Sequence, residues 1–207
     1  MSKELEIELK NMVTKEHFTR LQAAFAIRPE DFQEQENLYF DTPDFALKAL
    51  QSALRIRKKQ GSFQLTLKTP ETEGLLETSQ LLDAEDVQNM VEKRAFPDGE
   101  VKKRLNAAGI SCSSLAYFGT LTTKRAEISY KGGLLVFDHN FYLNKEDYEI
   151  EYEVSSLETG IRIFKALLKQ YGIPFLPAKN KVRRFYEAKI GKSQDQAPEP
   201  GKTYDHE

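Results

Sequence analysis

Glu4, Glu6 and Glu8 occupy alternate positions of Glu4-Leu5-Glu6-Ile7-Glu8-Leu9-Lys10. Glu149, Glu151 and Glu153 repeat the pattern in Glu149-Ile150-Glu151-Tyr152-Glu153-Val154. Basic residues alternate with apolar ones in Leu54-Arg55-Ile56-Arg57, and Lys68 closes Gln64-Leu65-Thr66-Leu67-Lys68. Clustered carboxylates are hard oxygen ligands that suit Mg²⁺ or Mn²⁺ better than zinc or copper. Arg and Lys suit phosphate oxygens, Arg through its bidentate fork. Acidic and basic sets in one small chain therefore point to a divalent metal acting on a polyphosphate.

A β-strand sends successive side chains to opposite faces, so each charged set lines one face and each apolar set the other. Glutamates two residues apart then lie ~7 Å apart on the same side. Solvated faces usually mix signs, because like charges placed side by side repel. Segregation costs stability unless a cation neutralises the carboxylates and an anion the bases. The fold class is α+β, and eight strands can close into an antiparallel β-barrel with a charged interior, its apolar outside covered by helices, the architecture that the family resemblance given below implies. The competing reading is an ordinary antiparallel sheet with one wet face.

The remaining pattern supplies the elements. Strands are predicted at 3–10, 33–40, 52–59, 62–69, 75–82, 116–124, 125–131, 134–139 and 146–154, nine segments for a sheet of about eight strands. Gln60-Gly61 and Lys131-Gly132-Gly133 are hairpin turns. Helices are predicted at 15–26 behind a Thr14 N-cap, at 84–93, at 100–108 and at 158–171, with a short helical turn at 45–50. Residues 179–189 form a short basic helix or strand. Strands joined mainly by hairpins make a largely antiparallel sheet. One domain is expected over 1–190. From Gly191 apolar residues nearly vanish, which predicts a disordered tail over 191–207.

Bulk composition narrows the function. The net charge of -2 gives no electrostatic case for nucleic acid or anionic lipid, so any anion site must come from local charge segregation. The single cysteine, Cys112, excludes an intrachain disulfide and lies in a Ser-rich loop without a neighbouring His. His17, His139 and His206 lack zinc-ligand spacing. No apolar run approaches the ~18 residues of a membrane span, and the acidic N-terminus lacks a signal-peptide core. A cytoplasmic protein is expected. Glu36-Asn37-Leu38-Tyr39-Phe40 has the look of a protease-tag remnant but continues into Asp41 within a plausible strand, so it reads as native. Tyr39 and Phe40 could stack on a base, although Phe40 reads better as core.

These residues resemble the CYTH superfamily, the triphosphate tunnel metalloenzymes. Glu6-Ile7-Glu8-Leu9-Lys10 matches its ExExK signature. Tyr39-Phe40-Asp41-Thr42-Pro43, Leu54-Arg55-Ile56-Arg57 and Leu65-Thr66-Leu67-Lys68 follow in family order, with Glu77, Arg125, Asp138 and the acidic strand at 149–153 behind them. Lys181 and Arg184 resemble the basic C-terminal motif. The resemblance covers residues 3 to about 190 and is nearest to small single-domain Firmicute members that carry an adenylate cyclase label. It implies a triphosphate tunnel working with Mg²⁺ or Mn²⁺ on a small-molecule triphosphate or nucleotide, with no specific nucleic acid and no membrane partner. Glu6, Glu8, Glu149, Glu151 and Glu153 are the expected metal ligands, with Glu4 and Glu77 as further candidates. Arg55, Arg57, Lys68, Arg125, Lys181 and Arg184 are expected to grip phosphates. Lys10 and Asp138 are the expected catalytic residues, Asp138 or a spare glutamate positioning the attacking water.

Hydrolysis of a triphosphate is the leading expectation. An adenylate cyclase on the same scaffold would share the metal and phosphate set. A non-enzymatic nucleotide or polyphosphate sensor could manage with the bases alone. The last possibility is a charged wet sheet without a site.

Overall fold

The computed structural model describes residues 2–72, 74–93 and 95–195, with side chains at 5–72, 74–92 and 95–189. Eight strands follow the alternating segments: β1 (Ser2–Val13), β2 (Gln33–Asp41), β3 (Ala53–Lys59), β4 (Ser62–Pro70), β5 (Leu75–Leu82), β6 (Ala116–Tyr130), β7 (Gly133–Tyr142) and β8 (Lys145–Val154). They close into a barrel in the order β1-β5-β4-β3-β2-β6-β7-β8, every pairing antiparallel. Three hairpins turn on two residues that both take positive φ: Gln60-Gly61, Lys131-Gly132 and Leu143-Asn144. That geometry matches the right-handed twist of the flanking strands. Leu143 gave no turn signal, because leucine rarely adopts this conformation.

Residues 116–124 and 125–131, expected as two strands, form the single strand β6. It pairs with β2 through residues 116–125 and with β7 through residues 122–130. One long strand is needed to carry the sheet around the barrel at this point, and no turn residue separates Lys124 from Arg125.

The helices are α1 (Lys15–Ala24), α2 (Ala46–Ala49), α3 (Ala84–Gln88), α4 (Glu100–Ala107), α5 (Leu157–Gln170) and α6 (Lys181–Asp195). Thr14 caps α1, its hydroxyl accepting the His17 N–H at 3.2 Å. The helix expected over 84–93 changes to π-helical winding at Asn89–Lys93. The basic segment is helical, and α6 continues to Asp195, five residues past the expected domain limit at 190. The rest of the expected tail, 196–207, lies outside the described residues.

The barrel is apolar outside and charged inside. Phe18 and Leu21 of α1 and Phe164, Leu167 and Leu168 of α5 pack on outward Leu135, Phe137, Ile150 and Tyr152. Leu47, Met90, Val101 and Leu105 cover outward Leu54, Ile56, Leu65 and Leu67 on another side. Each such fully buried side chain contributes roughly 1.5–3 kcal/mol. A third cluster joins Phe185 of α6 to inward Tyr39 and Leu121, so α6 lies across one end of the barrel. A Cβ at Gly119 (φ +152°) would fall 2.6 Å from the Phe185 ring, so glycine there lets the helix seat.

Ile56 is fully buried on the outer face and Lys58 is half-exposed in a surface ion pair with Glu36. Urea denaturation of Ile56→Ala is expected to show a loss of about 2–5 kcal/mol. Lys58→Ala is expected to stay within about 1 kcal/mol of the parent.

Candidate active site in the barrel bore

Strand register decides which charges meet. β1 against β8 sets Glu8 opposite Glu153, Lys10 opposite Glu151 and Met12 opposite Glu149. β4 against β5 sets Lys68 opposite Glu77. β3 places Arg55 beside Tyr39 and Arg57 beside Asn37. β6 against β7 sets Arg125 opposite Asp138, and β8 adds Glu149 on the other side of Asp138. These side chains share the inward face, around a cavity of about 730 Å³. That volume falls within the range of ligand pockets, roughly 300–1,000 Å³.

The carboxylates form two groups of different character. In the first, Glu6, Glu8 and Glu153 are half-buried and bring one oxygen each within 4.8 Å of one another. Lys68 Nζ lies 2.5 Å from Glu6 and also contacts Glu77. Lys10 Nζ lies 2.7 Å from Glu8 Oε1, but out of hydrogen-bond alignment with it. Burial pushes the Glu153 carboxyl up to about 7. Arg125 opposes the shift, while Glu6, Glu151 and Glu8 reinforce it. Three hard oxygen donors crowded with too little positive charge fit a divalent cation of the Mg²⁺ type.

The second group, Asp138, Glu149 and Glu151, is fully buried and saturated with cations. Arg125 grips Asp138 with two bonds, Nε to Oδ1 at 2.7 Å and a terminal nitrogen to Oδ2 at 2.6 Å, and donates to Glu151 at 2.6 Å. Lys181 Nζ lies 2.7 Å from Asp138, 3.0 Å from Glu149 and 2.5 Å from Glu151. Arg184 donates to Glu149 at 2.7 Å and to Asp147 at 3.1 Å. Burial disfavours the charges of Asp138, Glu151, Arg125, Lys181 and Arg184, yet the pairing outweighs it. Glu151 is held well below the usual carboxylate range by Lys10, Lys181 and Arg125, and Lys10 well above the usual lysine value by Glu151, Glu8 and Glu149.

The basic wall is short of anions. Among the described residues Arg57 has no carboxylate in ion-pair reach, and its Nε donates only to Asn37 Oδ1 at 3.2 Å. Burial, with Arg55 and Arg125 nearby, brings its pKa down to about 9. Arg55 reaches Glu77 only at 4.0 Å and keeps a buried Nε without a partner among the described residues. Such a wall can bind a polyanion while the carboxylate triad holds a cation beside it.

The family model for the CYTH domain matches residues 4–186. The chain belongs to the CYTH domain family. It is 47% identical over 190 residues to the Bacillus subtilis (strain 168) protein named "Putative triphosphatase YjbK", a match covering 91% of this chain and 98% of that one. A Bacillus halodurans crystal structure described as "a putative adenylate cyclase" is 47% identical and superposes with a TM-score of 0.86, covering 90% of this chain and all of that one. The Hippeastrum protein HpAC1, 24% identical with a TM-score of 0.73 over 89% of this chain and 96% of its own, shares the fold.

Of the residues expected from sequence, Glu6, Glu8, Lys10, Arg55, Arg57, Lys68, Glu77, Arg125, Glu151, Glu153 and Lys181 all line the cavity. Asp138, Glu149 and Arg184 do not; they stand behind the lining and hold it. Glu4 lies in β1 opposite Glu77, its side chain outside the described set. Tyr39 lines the cavity, whereas Phe40 is core on the outer face. Gln35, Asn37 and Thr123 line the cavity without having been singled out. The signal was partial: Asn37 and Tyr39 alternate with Leu38 and Phe40, but Gln35 stands between Glu34 and Glu36, where no apolar face shows. Among the described residues no helix is long and apolar enough to cross a membrane.

Glu153 gives a testable pH signature. Between about 4.5 and 7 the folded carboxyl keeps a proton that the unfolded one has released, so this group makes stability fall as pH rises through that window. Urea denaturation in a chelator at pH 5, 6 and 7 is expected to show a steeper fall for the parent than for Glu153→Gln. Parallel curves would refute the assignment.

Proposed function

We propose that this protein hydrolyses a small-molecule triphosphate inside the bore with the help of Mg²⁺ or Mn²⁺. The observation that carries the reading is the juxtaposition, in one cavity of the bore, of the carboxylate triad Glu6, Glu8 and Glu153, which shares its two lysines with Glu77 and Glu151, with the anion-poor wall of Arg55 and Arg57. The relationship to YjbK supports hydrolysis as the reaction type. The dominant triphosphatase activity in the description of HpAC1, a protein of the same fold, agrees with it.

Phosphoryl transfer asks the protein chiefly for positioning and charge neutralisation. Glu6, Glu8 and Glu153 hold the metal, which when bound neutralises phosphate oxygens and lowers the pKa of water. Arg57, aimed by Asn37, and Arg55 take the phosphate oxygens, and Lys68 stands beside them. Water attacks the terminal phosphorus as the anhydride bond breaks, releasing orthophosphate and the shortened chain. Asp138 takes a different role from the one its sequence position suggests. It is fully buried behind the lining, engaged by Arg125 and Lys181, so it orients Arg125 rather than water. Lys10 bridges Glu8 and Glu151 and holds the two carboxylate groups in register.

A second reading, conversion of ATP to cyclic AMP, is favoured by the description of the B. halodurans relative. The products separate the two: orthophosphate for hydrolysis, pyrophosphate with cyclic AMP for cyclisation. A screen of inorganic triphosphate, thiamine triphosphate, ATP and GTP with each metal is expected to give orthophosphate and to fall silent in excess chelator. Arg57→Ala and Glu8→Ala are each expected to lower the rate by about 10²–10³ with an unchanged circular dichroism spectrum. Full activity in both variants would eliminate this site.

A further inference from the structure

Hydrolysis needs a group that orients water, and Asp138, engaged by Arg125 and Lys181 behind the lining, is not placed to do it. β2 offers another candidate. In barrel order it lies four strands from β1 either way, so it faces the strand of Glu6 and Glu8 across the bore. Its inward residues are uncharged and deeply buried: Gln35 is 3% exposed, Asn37 2% and Tyr39 3%. Asn37 accepts the Arg57 Nε–H at 3.2 Å. Opposite Gln35, the Thr123 hydroxyl donates to Asn140 Oδ1 at 2.8 Å. Gln35 differs from both. It lines the cavity with a buried Oε1 that has no hydrogen-bond partner among the described residues. A buried carbonyl left unpaired costs stability, so its place in the wall calls for a ligand that donates.

Register sets two guanidiniums beside this amide. Gln33 pairs with Arg125 on β6 and Asn37 with Arg57 on β3, so Gln35 is the diagonal neighbour of both arginines. Diagonal neighbours are roughly 7–8 Å apart, a gap that long side chains span. Both arginines have donors to spare. Arg57 bonds only to Asn37 among the described residues, and one terminal nitrogen of Arg125 comes no closer than 3.8 Å to Glu127 and 3.9 Å to Glu153. Ionised phosphate oxygens only accept. A phosphate can therefore satisfy the guanidiniums and the Gln35 amide N–H groups, but not the Gln35 carbonyl. Water beside that phosphate can, because it donates.

We propose that Gln35 is the catalytic residue that orients the attacking water, its carbonyl oxygen accepting a water hydrogen while its amide nitrogen donates to a phosphate oxygen held between Arg57 and Arg125. The proposal rests on the hydrolytic reading above and deepens it. A glutamine amide donates and accepts at once, which suits a water beside a phosphoryl group. The water oxygen forms a new bond to the terminal phosphorus. The bond from that phosphorus to the bridging oxygen breaks, and its electron pair leaves on the shortened chain. The amide is too weak a base to take the water proton, which passes to the phosphate oxygens of the products.

The test is steady-state kinetics on the best substrate among inorganic triphosphate, thiamine triphosphate, ATP and GTP, with Mn²⁺. Gln35→Leu removes the amide and keeps the bulk. It is expected to lower kcat and kcat/KM by the same factor, about 10², with KM and the circular dichroism spectrum unchanged. Gln35→Ala is expected to show the same split and replaces Gln35→Leu if that variant does not fold. Parental kcat in a folded variant overturns the proposal and leaves hydrolysis standing. A raised KM with kcat kept also overturns it, because the amide would then hold substrate rather than water. A parent that releases no orthophosphate from any of the four, or that yields pyrophosphate and cyclic AMP, removes the hydrolytic reading itself and the role of Gln35 with it.

Discussion

A closed barrel with ionised side chains on its inner face must neutralise them from within. Charges removed from water cost several kcal/mol each unless partners and hydrogen bonds compensate. In this protein the compensation is a chain of close contacts running from Glu8 through Lys10, Glu151, Arg125 and Lys181 to Asp138, Glu149 and Arg184. Most of the bore is balanced this way, which sharpens the meaning of the two places that are not. Glu6 and Glu8 share their lysines with Glu77 and Glu151, Glu153 has Arg125 only at 3.9 Å, and Arg55 and Arg57 have no carboxylate closer than 4.0 Å among the described residues. A metal and a polyphosphate are the partners whose charges answer those deficits.

The same constraint organises the rest of the fold. With most polar groups committed to the bore, most apolar residues of the strands face outward and need a cover. α1 and α5 provide it over Ile150 and Phe137, and α2 and α4 over Leu54 and Ile56. The hydrophobic stabilisation lies outside the sheet and the chemistry inside it, so the site can be crowded with charge while the outer layers hold the structure together.

α6 is where the two systems meet. Phe185 packs on Tyr39 and Leu121, a hydrophobic seat at one end of the barrel. Tyr186 donates its hydroxyl to Asp41 at 2.7 Å, and Asp41 also accepts the backbone N–H groups of Thr42, Leu47 and Lys48. The buried aspartate of the Tyr39-Phe40-Asp41-Thr42-Pro43 segment thus ties α2 to α6. Through α6 it fixes where Lys181 and Arg184 reach among the acids.

Much of the barrel was legible from alternation alone, because a two-residue period assigns each side chain to a face before any partner is known. Glu6, Glu8, Arg55, Arg57 and Lys68 were placed correctly in the bore on that basis. The uncharged face of β2 escaped notice, since Gln35 and Asn37 look like ordinary polar residues until their strand is paired. The long strand β6 was divided in two for a similar reason: its continuity is imposed by the neighbours it pairs with, not by its own residues. The three glutamates of β8 looked equivalent in the chain. Across the barrel they are not, because Glu149 and Glu151 meet Lys181 and Arg184, while Glu153 meets Glu6 and Glu8.

Residue types and their period determined by themselves that this chain builds charged and apolar strand faces, and that the charged faces carry donors for a metal and for phosphate. Which acid is neutralised by which base was decided only by closure of the barrel and the seating of α6. Coulombic pairing depends on separations of a few ångströms between residues as far apart in sequence as Lys10 and Glu151, or Asp138 and Lys181. Those separations exist only once the strands are in register and the last helix is in place.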